Sequence, residues 1–404
     1  MTVNNTQPLP LSDIASTTDL AALHAWMHHE YGPVVPVQLE EGVFAWMVIG
    51  YRELHHVLGS PAVYARSSTR WNGWERLPKE SPLQMALAPM PSMLFAEGED
   101  HRRRSTAVHN ALEAVDPHEL RTFVTRFADR LIDGFCGDGR AELRTRYAGR
   151  LPSLVLGRIY GFDDAEIEVL AKAMSVIFDS TGPEVFEAYT ELTARFGAAI
   201  VDRRARPGAD VISRLAADPI GYTDEQLIAE LMGILGGGDR TTSEWIGNAL
   251  RLMLTEERFS ASFSGARSSV RDALAEVLWE DSPSQLNPGR FAAHDVELGG
   301  RHIREGDMVM LGYGAANRDP RVRGSQPQGM GANHAHLSFS HGKHACPHAA
   351  QGIAELIATT GIEVLLDRLP DIELAIDADQ VRWRPSPWAR GVVSLPVTFT
   401  PMSP

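Results

Sequence analysis

Between an apolar lead-in and a helical pattern, residues 337–348 read LSFSHGKHACPH, which places His341, His344, Cys346 and His348 in one short loop. Three chemistries use such residues. Imidazole and thiolate are zinc ligands, but structural zinc sites join two separated ligand pairs and so cross-link the fold, whereas these four lie side by side in the chain. A nucleophilic cysteine needs a base and an orienting partner from elsewhere. Axial ligation of a haem iron needs an apolar residue against the porphyrin, a glycine where backbone nears the ring, a donor for a propionate, and a thiolate near a helix N-terminus. Phe339, Gly342, His344 and Cys346 fill those parts in order, and AAQGIAELIATTGIEVLL supplies the helix. A buried, inert cysteine does not account for a turn so rich in glycine and histidine.

The rest of the chain must position this loop. With 404 residues it exceeds the usual single core, so two domains, or one large and mostly helical domain around an internal cofactor, are expected. A composition of 44% hydrophobic and 22% charged residues is that of a soluble globule. The N-terminus MTVNNTQPLPLSDIAS has no basic head or apolar segment, residues 1–18 read as irregular, and no uninterrupted apolar run reaches about eighteen residues. A cytoplasmic protein without membrane anchor is the expectation. The net charge of −14 argues against nucleic-acid binding, which needs a basic surface. Two cysteines, Cys136 and Cys346, exclude a disulfide framework and fit a reducing compartment.

VFAWMVIG (43–50) has strand composition and YRELHHVLGS after it has helical spacing, whereas residues 71–96 show no period. From about 100 to 280 the pattern is helical, with breaks at 204–210 and 265–269. Thr223 and Gln226 stand in capping-box spacing ahead of apolar residues at 227, 231, 234, 235, 246, 250 and 253, which predicts one long helix. Gly236, Gly237 and Gly238 sit in its middle, each costing about 1 kcal/mol relative to alanine. Strand signals return around Gly299-Gly300, which suit a tight hairpin, and at 381–399.

Phe339-x-x-Gly342-x-His344-x-Cys346 is similar to the haem-binding loop of the cytochrome P450 family, and agreement runs from about residue 40 to the C-terminus, including VELGGRHIREGDMVMLGYGAANRDP (296–320) and RARPGADVISRLA. The resemblance implies a single prism-shaped domain, mainly α with small β-sheets, spanning 1–404 around haem b, with Cys346 as the axial ligand of the iron. His101 matches a family propionate contact. Its usual partner arginine at 105 is replaced by serine, and Arg104 is expected to substitute; Arg290 in LNPGRF matches another. Gly237-Gly238-Asp239-Arg240-Thr241-Thr242 resembles the oxygen-binding segment, with Gly238 against the haem, Asp239, Thr241 and Thr242 organising proton supply, and Arg240 where the family has an acid. Glu276 of the family's Glu-x-x-Arg is kept, but Trp279 replaces the arginine, as in some actinobacterial branches of the family; a buried Glu276 without its cation would be costly.

By the same resemblance, residues from 62–95, Leu235, Gly236, Gly237, Ser284 to Asn287 (Leu286 included) and Trp388 line the substrate pocket. The implied function is dioxygen-dependent oxidation of a small organic molecule in secondary metabolism. Similar bacterial enzymes couple tryptophan-containing cyclodipeptides through C–C or C–N bonds; plain hydroxylation and a non-catalytic haem protein are the alternatives. No flavin or iron–sulfur motif is present, so electrons from NAD(P)H must come through a ferredoxin reductase and a ferredoxin. Arg102, Arg103 and Lys343 form a candidate docking patch, and the family implies a monomer.

Overall fold

A computed structural model describes residues 6–403 apart from 82, 181, 257, 258, 260–265 and 324–332. The chain divides into two compact units, Met1–Arg102 with Leu278–Cys346 and Trp383–Arg390, and Arg103–Val277 with Pro347–Arg382 and Gly391–Pro404.

The first unit is built on a six-stranded mixed sheet in the order Leu9–Pro10, Val34–Glu40, Val43–Val48, Met308–Leu311, Asn287–Ala292, Tyr64–Ala65. VVPVQLE and VFAWMV are rich in β-branched and apolar residues; the second strand buries Val43, Ala45, Met47 and Val48 while Phe44 stays exposed, and the two pair antiparallel from Val34 opposite Val48 to Glu40 opposite Val43. Residues 9–16, expected to be irregular, are instead ordered as a strand and the Leu11–Ser16 helix. Leu9 pairs parallel with Val37, and Leu9 and Ile14 are buried in the core, which holds the segment down. The Tyr51–Gly59 helix is as expected and buries Leu54, Val57 and Leu58. The aperiodic stretch 71–96 holds a 3-10 turn at Trp74–Arg76 and a short helix at Leu83–Leu87. Gly299 and Gly300 both have positive φ, 56° and 78°, between strands Val296–Leu298 and Arg301–Ile303, as a primed hairpin turn requires.

Trp279 is 1% exposed, and its indole Nε1 donates to the Asn333 carbonyl at 2.8 Å. Beside it, Asn317 donates to the Leu278 carbonyl and to Ser338 Oγ, and accepts from Leu337 N. The chain leading to the cysteine loop is therefore tied to the end of the Ala266–Glu280 helix through neutral hydrogen bonds. Glu276 is half-buried rather than fully enclosed, so its charge costs less than that of the fully buried carboxylate expected. Most of the loop in which a further arginine was sought, 324–332, lies outside the described residues.

The second unit is helical, with a small sheet in which Pro396–Thr398 pairs with Glu373–Leu374 and Arg140–Glu142. The remainder of 381–399, expected to be strand, is not part of a named strand; Pro385 and Pro387 deprive the backbone of ladder donors there. Asp224–Thr255 is one helix with both halves of the capping box formed. Of the break expected at 265–269, Gly265 lies outside the described residues, and 266–269 belong to the Ala266–Glu280 helix. His348–Arg368 is long and apolar enough to cross a membrane, and more than half of that stretch is buried within the protein, as in a core helix.

Candidate haem-thiolate site

The cysteine loop is held by its own backbone. Ser340 N donates to the Leu337 carbonyl, and Cys346 N donates to the Phe339 carbonyl at 2.9 Å. Ser340 and Gly342 both adopt left-handed backbone, φ 65° and 75°. Gly342 has a second constraint that its sequence role did not reveal: a Cβ there would lie 2.7 Å from the Leu58 carbonyl oxygen. The loop thus rests on the end of the Tyr51–Gly59 helix. Burial pushes the Cys346 thiol up to about 12, so the side chain becomes a thiolate only when a cation takes the proton's place. The His348–Arg368 helix begins two residues later.

The loop histidines do not converge as a metal clip would need. His341 stacks on His55 with centroids 3.9 Å apart, and His344 lies against His101 at 3.7 Å. Among the described residues no group of three or more His, Cys, Asp or Glu could hold a metal ion.

Around His344 the same unit gathers cations. Arg66 is half-buried and donates to the Leu94 carbonyl through Nε and to the Gly289 carbonyl through Nη1 at 2.8 Å; Arg290, 1% exposed, donates to that same Gly289 oxygen at 3.0 Å. The Arg290 Nε has no hydrogen-bond partner. Burial, with Arg66 adding to it, brings the Arg290 guanidinium down to about 9. Burial and then the Arg290 charge take His344 down to about 2, and burial with Arg66 and Arg290 lowers His101. Buried charges of one sign crowded together are unfavourable unless an anion completes them, and the fork of a guanidinium matches a carboxylate. Two propionates are therefore the ligand chemistry this donor set fits. Arg66 was missed in the sequence, where ARSST carries no motif. Gly289 was the available hint, since a Cβ there would lie 2.0 Å from Arg66 Nη1. Arg104 departs from expectation: it is buried, lies 3.4 Å from Glu230 and sits over the Tyr222 ring, so its charge is met inside the second unit.

Along Asp224–Thr255 the motif residues spread over different faces, at about 100° per residue. Gly237 and Thr241 share an open face; a Cβ at 236 or 237 would meet no atom within 4 Å, and Thr241 Oγ1 donates to the Gly237 carbonyl at 2.6 Å. Asp239, 3% exposed, points the opposite way and accepts from Ser153 Oγ, so it does not share Thr241's face as a proton partner would. A Cβ at Gly238 would touch Leu156 at 3.3 Å, so that glycine serves helix packing. Leu235 and Thr242, at 0% and 2% exposure, are core residues, against their expected pocket and proton roles. Arg240 bridges Asp179 and Glu244. In the first unit, Ser284 bridges to Ala389 and Gln285 N donates to the Trp388 carbonyl, which joins the two expected substrate segments. Leu286, 5% exposed, belongs to the core under them, while Asn287 starts its strand half-buried.

Fold and cysteine loop together define a haem-thiolate protein of mainly helical build. No family model matches the chain. It is 30% identical over 380 residues to biflaviolin synthase CYP158A1 of Streptomyces coelicolor, covering 91% of this chain and 90% of that one, and 28% identical over 406 residues to cytochrome P450 107B1 of Saccharopolyspora erythraea, covering 98% and 99%. Among solved structures, CYP154C4 from Streptomyces sp. W2061 superposes with a TM-score of 0.85 at 26% identity over 98% of both chains. The chain belongs to the cytochrome P450 family. It is a P450 monooxygenase or oxidase with haem b, using dioxygen and NAD(P)H-derived electrons brought by redox partners.

Burial pushes Asp239 up to about 7, against the Ser153 hydrogen bond that favours its charge. The folded carboxyl binds its proton more tightly than the unfolded one, so Asp239 costs stability increasingly as pH rises from about 4 to about 7, with a constant cost above. Asp239→Asn should therefore gain stability relative to wild type across that window, with the gap flat at higher pH, as read from urea midpoints along a pH series.

Proposed function

We propose that Cys346 ligates the haem iron, that Arg66, Arg290, His101 and His344 hold the propionates, and that the enzyme oxidises an aromatic small molecule. The observation carrying this reading is the pair of guanidiniums, Arg66 half-buried and Arg290 buried, that share the Gly289 oxygen, Arg290 with an open Nε, in the same unit as the cysteine loop. When bound, the haem supplies dioxygen activation, with the thiolate donating electron density towards the iron. The chain does the positioning. The Cys346 N–H to Phe339 bond fixes the sulfur's backbone, and the apolar burial that raises the free thiol keeps water from competing for it. Thr241 keeps a hydroxyl on the open face of its helix, where the family's pattern places oxygen handling.

For the substrate, Trp71 and Trp74 meet edge-on at 5.3 Å, and Trp74 and Trp388 flank the core that contains Trp71 and Leu286. Such aromatic surfaces favour a flat aromatic ligand. The named relatives include both hydroxylases and a synthase. Oxidative C–C or C–N coupling of a tryptophan-containing cyclodipeptide is the reading these tryptophans favour, with hydroxylation the second. Electrons reach the enzyme from an acidic ferredoxin that docks on exposed Lys343 and Arg102. Arg102 is partly neutralised by Glu99, which leaves Lys343 the larger share.

Three outcomes are expected. The reduced, carbon monoxide-treated protein shows a long-wavelength thiolate-type Soret band that Cys346→Ser abolishes; Arg66→Leu keeps the band but binds haem about tenfold more weakly, the loss of one charge-assisted contact. A band that survives Cys346→Ser removes the ligand assignment. Mass spectrometry of the product finds two joined rings lacking two hydrogens; a gain of one oxygen selects hydroxylation. Reversing the charge at Lys343 and Arg102 slows reduction by ferredoxin about tenfold at low ionic strength and flattens its salt dependence; unchanged rates exclude that face.

A further inference from the structure

RTRYAGR, residues 144–150, carries Arg144, Arg146 and Arg150, and the structure sends them different ways. Arg144–Ala148 forms a single π-helical turn, closed by Gly149 N donating to the Arg144 carbonyl at 2.8 Å, a backbone form that recurs at functional sites. Arg144 turns inward to Asp179. Arg146 and Arg150 turn outward, where with Leu131, Glu168 and Arg130 of the Pro117–Asp133 helix they line a depression of about 320 Å³ within the second unit. That volume is at the lower end of small-molecule sites. Its guanidiniums are held in place. Arg130 lies 4.9 Å over the Phe127 ring and Arg146 5.3 Å over the Phe135 ring, both rings buried, and such stacking fixes a planar cation. Arg146 also donates to the Gly134 carbonyl at 2.6 Å and to Asp138 at 3.1 Å, while the two oxygens of Glu168 accept from Arg130 at 2.8 Å and from Arg150 at 2.5 Å.

Three guanidiniums against one carboxylate make this wall positive on a chain of formal charge −14. Asp138 and Asp164 touch Arg146 and Arg130 from outside the depression, and Asp164 is shared with Arg126 and Arg158. A guanidinium has five N–H donors, and among the described residues the Arg150 side chain engages Glu168 alone while 42% of it stays exposed. We propose that this depression binds a phosphoryl group, free or carried on a small organic molecule, with Arg146 and Arg150 gripping it and Arg130 and Glu168 as positioning residues. A phosphoryl group brings three acceptor oxygens and close to two negative charges, which suits two forks side by side. A carboxylate suits it less, because Glu168 already supplies one. Leu131 gives the organic part of a phosphate ester an apolar wall. Bound there, the ligand ties the end of the Pro117–Asp133 helix to the π turn and to the Asp164–Asp179 helix that carries Glu168, and it stabilises the fold by mass action.

The test is a calorimetric titration of the haem-loaded enzyme with inorganic phosphate and with glucose 6-phosphate, at ionic strength held constant with sodium chloride and with sodium acetate as the carboxylate control. Wild type should bind a phosphate probe saturably with a Kd of about 1 mM or below, and acetate at least about tenfold more weakly. Tighter binding of glucose 6-phosphate supports an organic phosphate as the ligand, and equal binding supports free phosphate. Arg146→Gln and Arg150→Gln should each weaken the phosphate about tenfold, and Arg150→Lys should recover only part, since an ammonium keeps the charge without the fork. Arg206→Gln removes an exposed arginine that does not line the depression and should leave binding unchanged. The proposal falls if neither phosphate gives saturable heat, if acetate binds as well as phosphate, or if Arg206→Gln weakens binding as much as Arg150→Gln, which would leave only a diffuse positive surface. The wild-type titrations decide even where a variant does not fold, and because they need no turnover they stand apart from the haem assignment.

Discussion

Two guanidiniums that share one carbonyl oxygen set the terms for this molecule. Arg66 and Arg290 come from segments far apart in sequence and meet at the Gly289 oxygen, Arg66 half-buried and Arg290 fully buried. Enclosing two like charges costs far more than a single carbonyl returns, so the arrangement has meaning only with an anion to complete it. Everything around it serves that purpose. Glycine at 289 admits Arg66, the Asn287–Ala292 strand carries Arg290 into the sheet, and His101 lies against His344 with both imidazoles driven neutral by burial and the neighbouring cations. A haem is apolar over most of its surface and dianionic at one edge, and it satisfies both halves of this demand.

The cysteine loop shows the same logic in backbone form. Its left-handed residues, Ser340 and Gly342, bend the chain so that Cys346 N reaches the Phe339 carbonyl, and the end of the Tyr51–Gly59 helix leaves no space for a side chain at 342. Upstream, Trp279 and Asn317 fasten the chain by neutral hydrogen bonds where the family uses a charged pair. A neutral donor in a buried site has less desolvation to overcome than an arginine.

Much of this was legible in one dimension. The spacing of Phe339, Gly342, His344 and Cys346 carried the cofactor, because ligation and close approach to a ring constrain residue types within a few positions. The capping box at Thr223 and Gln226 and the apolar periodicity carried the long helix across its glycines, since helix formation is governed by neighbours three and four apart. The hairpin at Gly299-Gly300 followed from the φ values only glycine adopts readily. Where expectations failed, the competing influence was tertiary. Leu9 and Ile14 order an N-terminal segment by burial, prolines break the strands expected at 381–399, and Arg104 turns to Glu230.

The functional segment of the long helix marks the boundary most sharply. Its composition, three glycines followed by an acid, a base and threonines, was plain in the sequence. Which residue faces where was not, because a helix turns about 100° per residue and each side chain goes to whatever packs against its own face. Asp239 goes to Ser153, Arg240 to Asp179 and Glu244, and Thr241 alone keeps the open side with Gly237. Sequence by itself pointed to the haem cofactor, the helical class and the need for outside electrons, since those rest on local spacing and residue chemistry. Only the tertiary structure decided which charges meet, because Arg66 with Arg290, and Arg144 with Arg240, are brought together across long stretches of chain by packing rather than by any pattern in it.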